Sequence, residues 1–207
     1  KLDLSMWRLA FCGAEPIRAG EMRLDGAPYA PKTIREAIAG GIAMVPEDRK
    51  GQGLVGNLSI LENLNLATYA QRTRFGALNQ REMLDLGEEF RTLLSIKAPD
   101  LYAPVSSLSG GNQQKVVLGR WMAAKPKVMI LDEPAAGIDI GAKSEIYDLI
   151  DRIADKGTTV ILVSSELPEI LRLSHRVGVV REGRLVGIVE RDDATEENLL
   201  ALATMGQ

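Results

Sequence analysis

The 207-residue chain is 45% hydrophobic and carries 25 Lys and Arg against 28 Asp and Glu, a formal net charge of −3. That is enough apolar material for one domain, or one domain with a small subdomain, and it lacks the basic runs that neutralise a nucleic-acid backbone. The single cysteine, Cys12, excludes an internal disulfide, and no apolar run reaches the roughly 20 residues that cross a bilayer.

The first residues, KLDLSMWRLAFCG, do not read as a signal peptide, because Asp3 and Arg8 interrupt any apolar core, so secretion is not expected. GEMRLDG (Gly20 to Gly26) reads as a short strand and turn. TIREAIAGG opens with a capping-box pattern, Thr33 with Glu36, and stops at Gly40 and Gly41. IAMVP (Ile42 to Pro46) reads as a buried strand. From Ser59, paired with Glu62 in a second capping box, to about Lys97 the chain reads as mostly helical, with Met83, Leu86, Phe90, Leu93 and Leu94 on one face. That stretch is expected to be an inserted helical subdomain.

A helix is then predicted from about Gly111 to Ala124, a strand over KVMIL, and a helix with Ile146, Leu149, Ile150 and Ile153 on one stripe, ending at Gly157. TTVILVSS is another strand and leads into a short helix at ELPEILRL. VGVV and LVGIV read as a hairpin turning at Glu182 and Gly183, before a last helix with Glu196 and Glu197 in its first turn. Alternation of strands and helices predicts an α/β fold, a parallel sheet covered on both faces.

Two stretches carry chemistry. LSGGNQQK (Leu108 to Lys115) sits where a loop runs into a helix. A helix amino terminus offers unpaired N–H groups and a positive dipole end, and glycine removes the side chain that would keep an anion off that backbone. SGG alone also fits a tight turn with a polar cap. VMILDEP (Val128 to Pro134) is an apolar strand ending in two acids, placed where ligands of open α/β sheets collect. Successive residues face opposite ways, so Asp132 is expected to hold Mg²⁺ and Glu133 to polarise an attacking water. In isolation LDEP also fits two solvated acids before a turn.

Together these stretches resemble the ATP-binding cassette ATPases. LSGGNQQK resembles the signature motif, VMILDEP Walker B, AGID (Ala136 to Asp139) the D-loop, and ILVSSE the strand running to the switch loop. VPEDRKGQGL, the NQQK ending, GIDIGAKSEIY and VSSELPEI are similar to the carboxy-terminal cassette of the fused two-cassette subunit of bacterial monosaccharide importers, the ribose, galactose and xylose class. The resemblance implies a P-loop NTPase-like core at 1–56 and 110–207 and a helical subdomain at 57–109, within one ABC ATPase domain. It implies ATP and Mg²⁺ as ligands, Ser109, Gly110, Gly111, Gln113, Asp139 and Glu47 as nucleotide-binding residues, and Asp132 as the metal ligand. Glu133 and Ser165 stand at the catalytic positions.

The departures are as informative. No GxxxxGK followed by Ser or Thr occurs in the 207 residues. GAKS (Gly141 to Ser144) lacks its glycine pattern and follows the D-loop. In the family the phosphate loop precedes a helix equivalent to about Ser5 to Phe11, so the domain is expected to be truncated at its amino terminus. The strand before that loop, with its adenine-stacking aromatic, is expected to be missing too. Glu47 stands at the usual Q-loop glutamine and Ser165 at the switch histidine. A serine hydroxyl cannot take a proton near neutrality, so this half is expected to hydrolyse poorly. His175, after the following short helix, reads as an ordinary surface residue, and Cys12 as a small packing residue.

Cassettes of this family pair head to tail, each ATP lying between the Walker motifs of one and the signature loop of the other. The resemblance therefore implies that Ser109, Gly110 and Gly111 complete a site on a partner cassette, expected on the amino-terminal half of the same subunit. It also implies permease subunits as membrane partners, with Glu47, Asp48, Arg49 and Lys50 as candidate coupling contacts or simply a solvated turn. A periplasmic sugar-binding protein is an indirect partner, nucleic acid none, and the location peripheral on the cytoplasmic face of the inner membrane. A soluble ABC ATPase unlinked to transport, or a catalytically silent interaction module, are the alternative readings.

Overall fold

The structure, a computed structural model, describes residues 8–12, 22–74 and 77–204. Its elements in chain order are β1 (Arg8–Cys12), β2 (Arg23–Leu24), β3 (Ala27–Pro28), α1 (Ile34–Ala39), β4 (Ile42–Val45), α2 (Ile60–Asn65), β5 (Thr73–Arg74), β6 (Ala77–Leu78) and α3 (Gln80–Leu93). There follow α4 (Gly110–Ala123), β7 (Val128–Asp132), α5 (Ile140–Asp155), β8 (Thr159–Val163), α6 (Leu167–Leu173), β9 (Arg176–Arg181), β10 (Arg184–Glu190) and α7 (Glu196–Thr204). They divide into two compact units, one of residues 1–43, 127–133 and 150–207, the other of 44–126 and 134–149. The second unit takes in the whole of 57–109 and, with it, the LSGGNQQK and AGID stretches.

The first unit is built on a sheet ordered β10, β9, β1, β8, β7, β4, to which β4 contributes Ile42 and Ala43. β1 runs parallel to both β8 and β9, and β7 parallel to β8, with Asp132 opposite Val163. Met129, Leu131, Val160 and Leu162, which share one face of the sheet, are buried, and Ile130 and Ile161 on the opposite face are half-buried; Val177, Val179 and Val180 of β9 are buried. β10 runs antiparallel to β9, through the expected hairpin. Glu182 and Gly183 both take positive φ, 50° and 69°, which gives the connection the twist that matches its strands. Thr33 caps α1 by accepting the Glu36 N–H, but the Glu36 carboxylate reaches the N–H of Lys32, one residue short of a full capping box.

The second unit packs α2, α3 and α4 about Ile60, Leu64, Met83, Phe90, Leu94, Val117 and Leu118, all buried. The Ser59 and Glu62 capping box forms in full. Arg120 of α4 is buried, and its guanidinium donates to the Asn63 carbonyl (2.8 Å), the Gly53 carbonyl (2.6 Å) and the Asn63 side-chain oxygen (2.7 Å). It thereby fixes the loop before α2 to the helix that carries LSGGNQQK.

Two expectations are corrected, and a third is refined. Residues 8–11, expected in a helix by the resemblance, are strand β1, lying between β8 and β9 and bonded to both; Ser5 to Trp7 lie outside the described residues. The stretch from Ser59 to Lys97 is mostly helical, as expected, but in two pieces. A 3-10 segment, Leu66–Arg72, and the small β5–β6 hairpin separate α2 from α3. IAMVP is buried on one face only, with Ala43 and Val45 inside and Met44 48% exposed.

Candidate functional site

The expected site residues fall into two groups, one in each unit. In the first unit, β7 ends at Asp132 and the chain turns sharply at Glu133, which takes the left-handed conformation at φ 45°. Its N–H still donates to the Val163 carbonyl (2.8 Å), so the residue is tied to the end of β8. Beyond β8, the Ser164 hydroxyl donates to the buried Glu169 carboxylate (2.5 Å) and accepts from the Glu166 N–H (3.0 Å). That fixed turn aims the N–H of Ser165 at Glu133, donating to its Oε1 at 2.6 Å. Asp132, Glu133 and Ser165 are thus brought together.

The Glu133 carboxylate is oriented by one backbone donor and keeps its other oxygen. Burial, and then the Glu133 charge, push the Asp132 carboxyl above its ordinary range. A carboxyl whose charge is disfavoured by burial and by the neighbouring acid is one that a divalent cation would favour in its charged form. Among the described residues no three His, Cys, Asp or Glu side chains converge to hold a metal. The Asp132 carboxylate could serve as one ligand of a divalent cation whose remaining ligands are water or substrate oxygens.

In the second unit, α4 begins at Ser109, which is exposed at the cap. The first helical bond runs from the Gln113 N–H to the Ser109 carbonyl (2.9 Å), so the N–H groups of Gly110, Gly111 and Asn112 project from the helix tip. The glycines serve an internal purpose as well as an external one. A side chain at Gly110 would meet Nη2 of Arg49 at 2.9 Å, and one at Gly111 would meet Cβ of Ala142 at 3.0 Å. Gly110 is half-buried and Gly111 buried, so baring the backbone to a ligand is not the whole reason for the pair.

Arg49 explains the close approach. Its guanidinium donates to the Ala136 carbonyl (2.9 Å) and, more distantly, the Gly137 carbonyl (3.4 Å), holding AGID beside the α4 tip. Among the four charged residues 47–50, Arg49 is therefore not simply solvated, and Asp48 accepts the Gly51 N–H (2.9 Å). Glu47 and Lys50 are exposed. Asp139 is exposed too, its carbonyl accepting the Ala142 and Lys143 N–H groups at the start of α5.

Gln113 is corrected as a ligand-facing residue. Its side chain is 5% exposed and turned inward, Nε2 donating to the Leu108 carbonyl (3.1 Å), so it supports the loop from within. Lys115 is likewise internal: 4% exposed, it bonds Glu145 (2.6 Å) and the Ser95 carbonyl (3.2 Å), and its hydrogen bond and charge hold the Glu145 carboxyl below the ordinary range. His175 is exposed, while the reading of Cys12 concerns a side chain outside the described part of the structure. Sequence reasoning missed Arg49 as a brace and Asn112 altogether. The NQQK ending drew attention to the right turn of helix without separating its inward from its outward residues.

Comparison with known proteins bears on the fold and the family. The chain is 44% identical over 197 residues to the ribose import ATP-binding protein RbsA of Geobacillus kaustophilus, covering 95% of this chain and 40% of that one. It is 45% identical to the arabinose import ATP-binding protein AraG of Paraburkholderia xenovorans, covering 92% and 37%. It is 48% identical to the xylose import ATP-binding protein XylG of Moorella thermoacetica, covering 91% and 37%. The chain thus spans about two fifths of the length of the curated relatives it matches. A dimeric post-hydrolysis state of the ATP-binding cassette MJ0796, bound to ADP and Pi, superposes with TM-score 0.74 at 19% identity, covering 90% of this chain and 86% of that one. The ADP conformation of the cassette MJ1267 superposes with TM-score 0.77 at 16% identity, covering 98% and 89%. These structures establish the ABC ATPase fold, a parallel sheet core with a hairpin near the carboxy terminus. Residues 5–136 match the ABC transporter family, and the chain belongs to it.

Proposed function

We propose that this chain is the carboxy-terminal nucleotide-binding domain of a sugar ABC importer, coupling ATP binding and hydrolysis to sugar uptake. In this reading its α4 tip completes an ATP site whose phosphate loop belongs to a partner cassette, while its own site is degenerate. The likeness to ribose, arabinose and xylose import proteins supports the transport role. The observation that carries the reading is the α4 tip itself: an exposed Ser109 and three projecting N–H groups at the positive end of a fourteen-residue helix, braced from behind by Arg49. That is a donor set for the terminal phosphate of a nucleotide.

The residues at the end of β7 have the opposite character. Glu133 is oriented to accept a proton from water, and Asp132 would hold Mg²⁺, which when bound draws charge from phosphate oxygens. Ser165 supplies the backbone N–H that orients Glu133, but its hydroxyl cannot shuttle a proton near neutral pH. With Glu47 in place of a glutamine, this half orients water without completing the chemistry. The cassette partner is expected on the same subunit. Residues 57–109, as the helical subdomain, together with the exposed Glu47 and Lys50, would face permease subunits on the cytoplasmic side of the membrane, with a sugar-binding protein acting through them.

Calorimetry of this chain with ATP and Mg²⁺ tests the division of labour. The 207 residues contain no glycine-rich loop ending in Lys with Ser or Thr, so binding weaker than about 1 mM is expected. Micromolar binding by the chain alone would contradict a degenerate site.

A further inference from the structure

Most helices of the second unit that begin with a polar cap use it in the ordinary way. The Ser59 hydroxyl accepts the Glu62 N–H, and the Asn79 side-chain oxygen accepts the Glu82 N–H, each three residues on. Ser109 breaks the pattern. It stands at the cap of α4 with the extended backbone of a cap, φ −61° and ψ 158°, yet its hydroxyl makes no cap bond. The corresponding N–H, that of Asn112, is left projecting.

The Asn112 side chain accounts for the difference. Its Oδ1 accepts the backbone N–H of Lys97 (2.9 Å), and its Nδ2 donates to the Ser109 hydroxyl oxygen (2.9 Å). A backbone N–H can only donate, so the Lys97 contact fixes which end of the amide is oxygen and turns the NH₂ toward Ser109. The hydroxyl oxygen is thereby engaged as an acceptor, and the hydroxyl proton has to point away from Asn112.

We propose that Asn112 is a positioning residue for the phosphate site at the α4 tip. By holding the Ser109 oxygen in this hydrogen bond it keeps the hydroxyl in a rotamer that does not cap its own helix, and so leaves both the Ser109 O–H and the Asn112 N–H to donate to a nucleotide's terminal phosphate. The proposal rests on the reading of the α4 tip as a phosphate-binding loop. Without the Asn112 amide the hydroxyl can rotate onto the free N–H, forming an ordinary cap that takes up that N–H and turns the O–H away from its present direction.

The test is a double-mutant cycle on steady-state ATP hydrolysis by the assembled transporter, with Ser109→Ala, Asn112→Ala and the double variant, and thermal unfolding of each. Donors to a charged phosphate are worth about tenfold or more in kcat/KM, so each single variant is expected to lose about that. The double variant is expected to be no worse than the weaker single, because both act through the same hydroxyl. Asn112→Asp keeps the Lys97 bond but offers Ser109 an acceptor that captures its proton, and is expected to lose more than Asn112→Ala. The unfolding midpoint of Asn112→Ala is expected to fall little, since the Ser109 hydroxyl then forms a cap that offsets part of the lost bonding. Independent, multiplicative losses, or full activity in Asn112→Ala while Ser109→Ala is impaired, would overturn the role of Asn112 and leave the phosphate site standing. Full activity in Ser109→Ala would remove the phosphate site, and the proposal with it.

Discussion

Glu133 sits in a conformation that costs stability, and replacing it separates backbone strain from side-chain bonding. At φ 45° it is in the left-handed region, where an L-residue with a Cβ loses about 1–2 kcal/mol. Glycine escapes that cost but gives back about 0.4–1 kcal/mol through the freer unfolded chain. Both Glu133→Gly and Glu133→Ala lose the bond from the Ser165 N–H, about 0.5–1.5 kcal/mol each, so that loss cancels between them. The glycine variant is therefore expected to be more stable than the alanine variant by about 0.5–1 kcal/mol, the reverse of their order in ordinary helix and strand positions. Urea denaturation of the two variants side by side measures the difference through their midpoints. An alanine variant equal to or more stable than the glycine variant would refute the claim that this acid is held in a strained turn.

Two further outcomes follow from buried charge. Arg120→Met leaves the Gly53 and Asn63 carbonyl oxygens without their donor, at about 1–3 kcal/mol each. Burial already pushes the Arg120 pKa down to about 10, and removing that desolvated charge offsets part of the loss. A net loss of about 2–4 kcal/mol in chemical denaturation is expected, and one below about 1 kcal/mol would mean those carbonyls find water. Asp132 has its folded pKa raised above the ordinary 3.8, so the folded state holds its proton more tightly than the unfolded. Its contribution is complete below that ordinary value and is lost as pH rises through the folded one. Asp132→Asn is therefore expected to melt higher than the parent at pH 7 without nucleotide or metal, with the gap narrowing toward pH 4. A gap that widens on acidification would reverse the sign of the shift.

The parts of the fold legible in the sequence are those set by local rules. The Ser59 and Glu62 box and the Glu182–Gly183 turn depend on residues at most three apart, and the apolar run of β7 ending in two acids needs only a strand's periodicity. What escaped notice depends on distant partners. Arg49 is 87 positions from the carbonyl it bonds, and nothing near it in the chain announces Ala136. The same is true of Arg120 and Asn63, 57 apart. Gln113 was misread because a polar residue beside a glycine pair invites a ligand role, whereas four residues beyond the cap it faces the unit's interior. The β5–β6 hairpin was lost among helix-forming neighbours, and its two-residue strands leave almost no period to detect. At the candidate site the residue types were readable, but the brace behind Gly110 and the diversion of the Ser109 hydroxyl required coordinates.

The most direct test sets the two ends of the chemistry against each other. Ser109→Arg places a long side chain at the α4 tip, where on the proposed reading a partner's nucleotide would lie, and Glu133→Gln removes the proposed base at the end of β7. In the assembled transporter, steady-state ATP hydrolysis is expected to fall further with Ser109→Arg than with Glu133→Gln. A larger loss from Glu133→Gln would mean that this chain's own acids do the hydrolysis, contradicting the account of an α4 tip that serves a nucleotide held elsewhere.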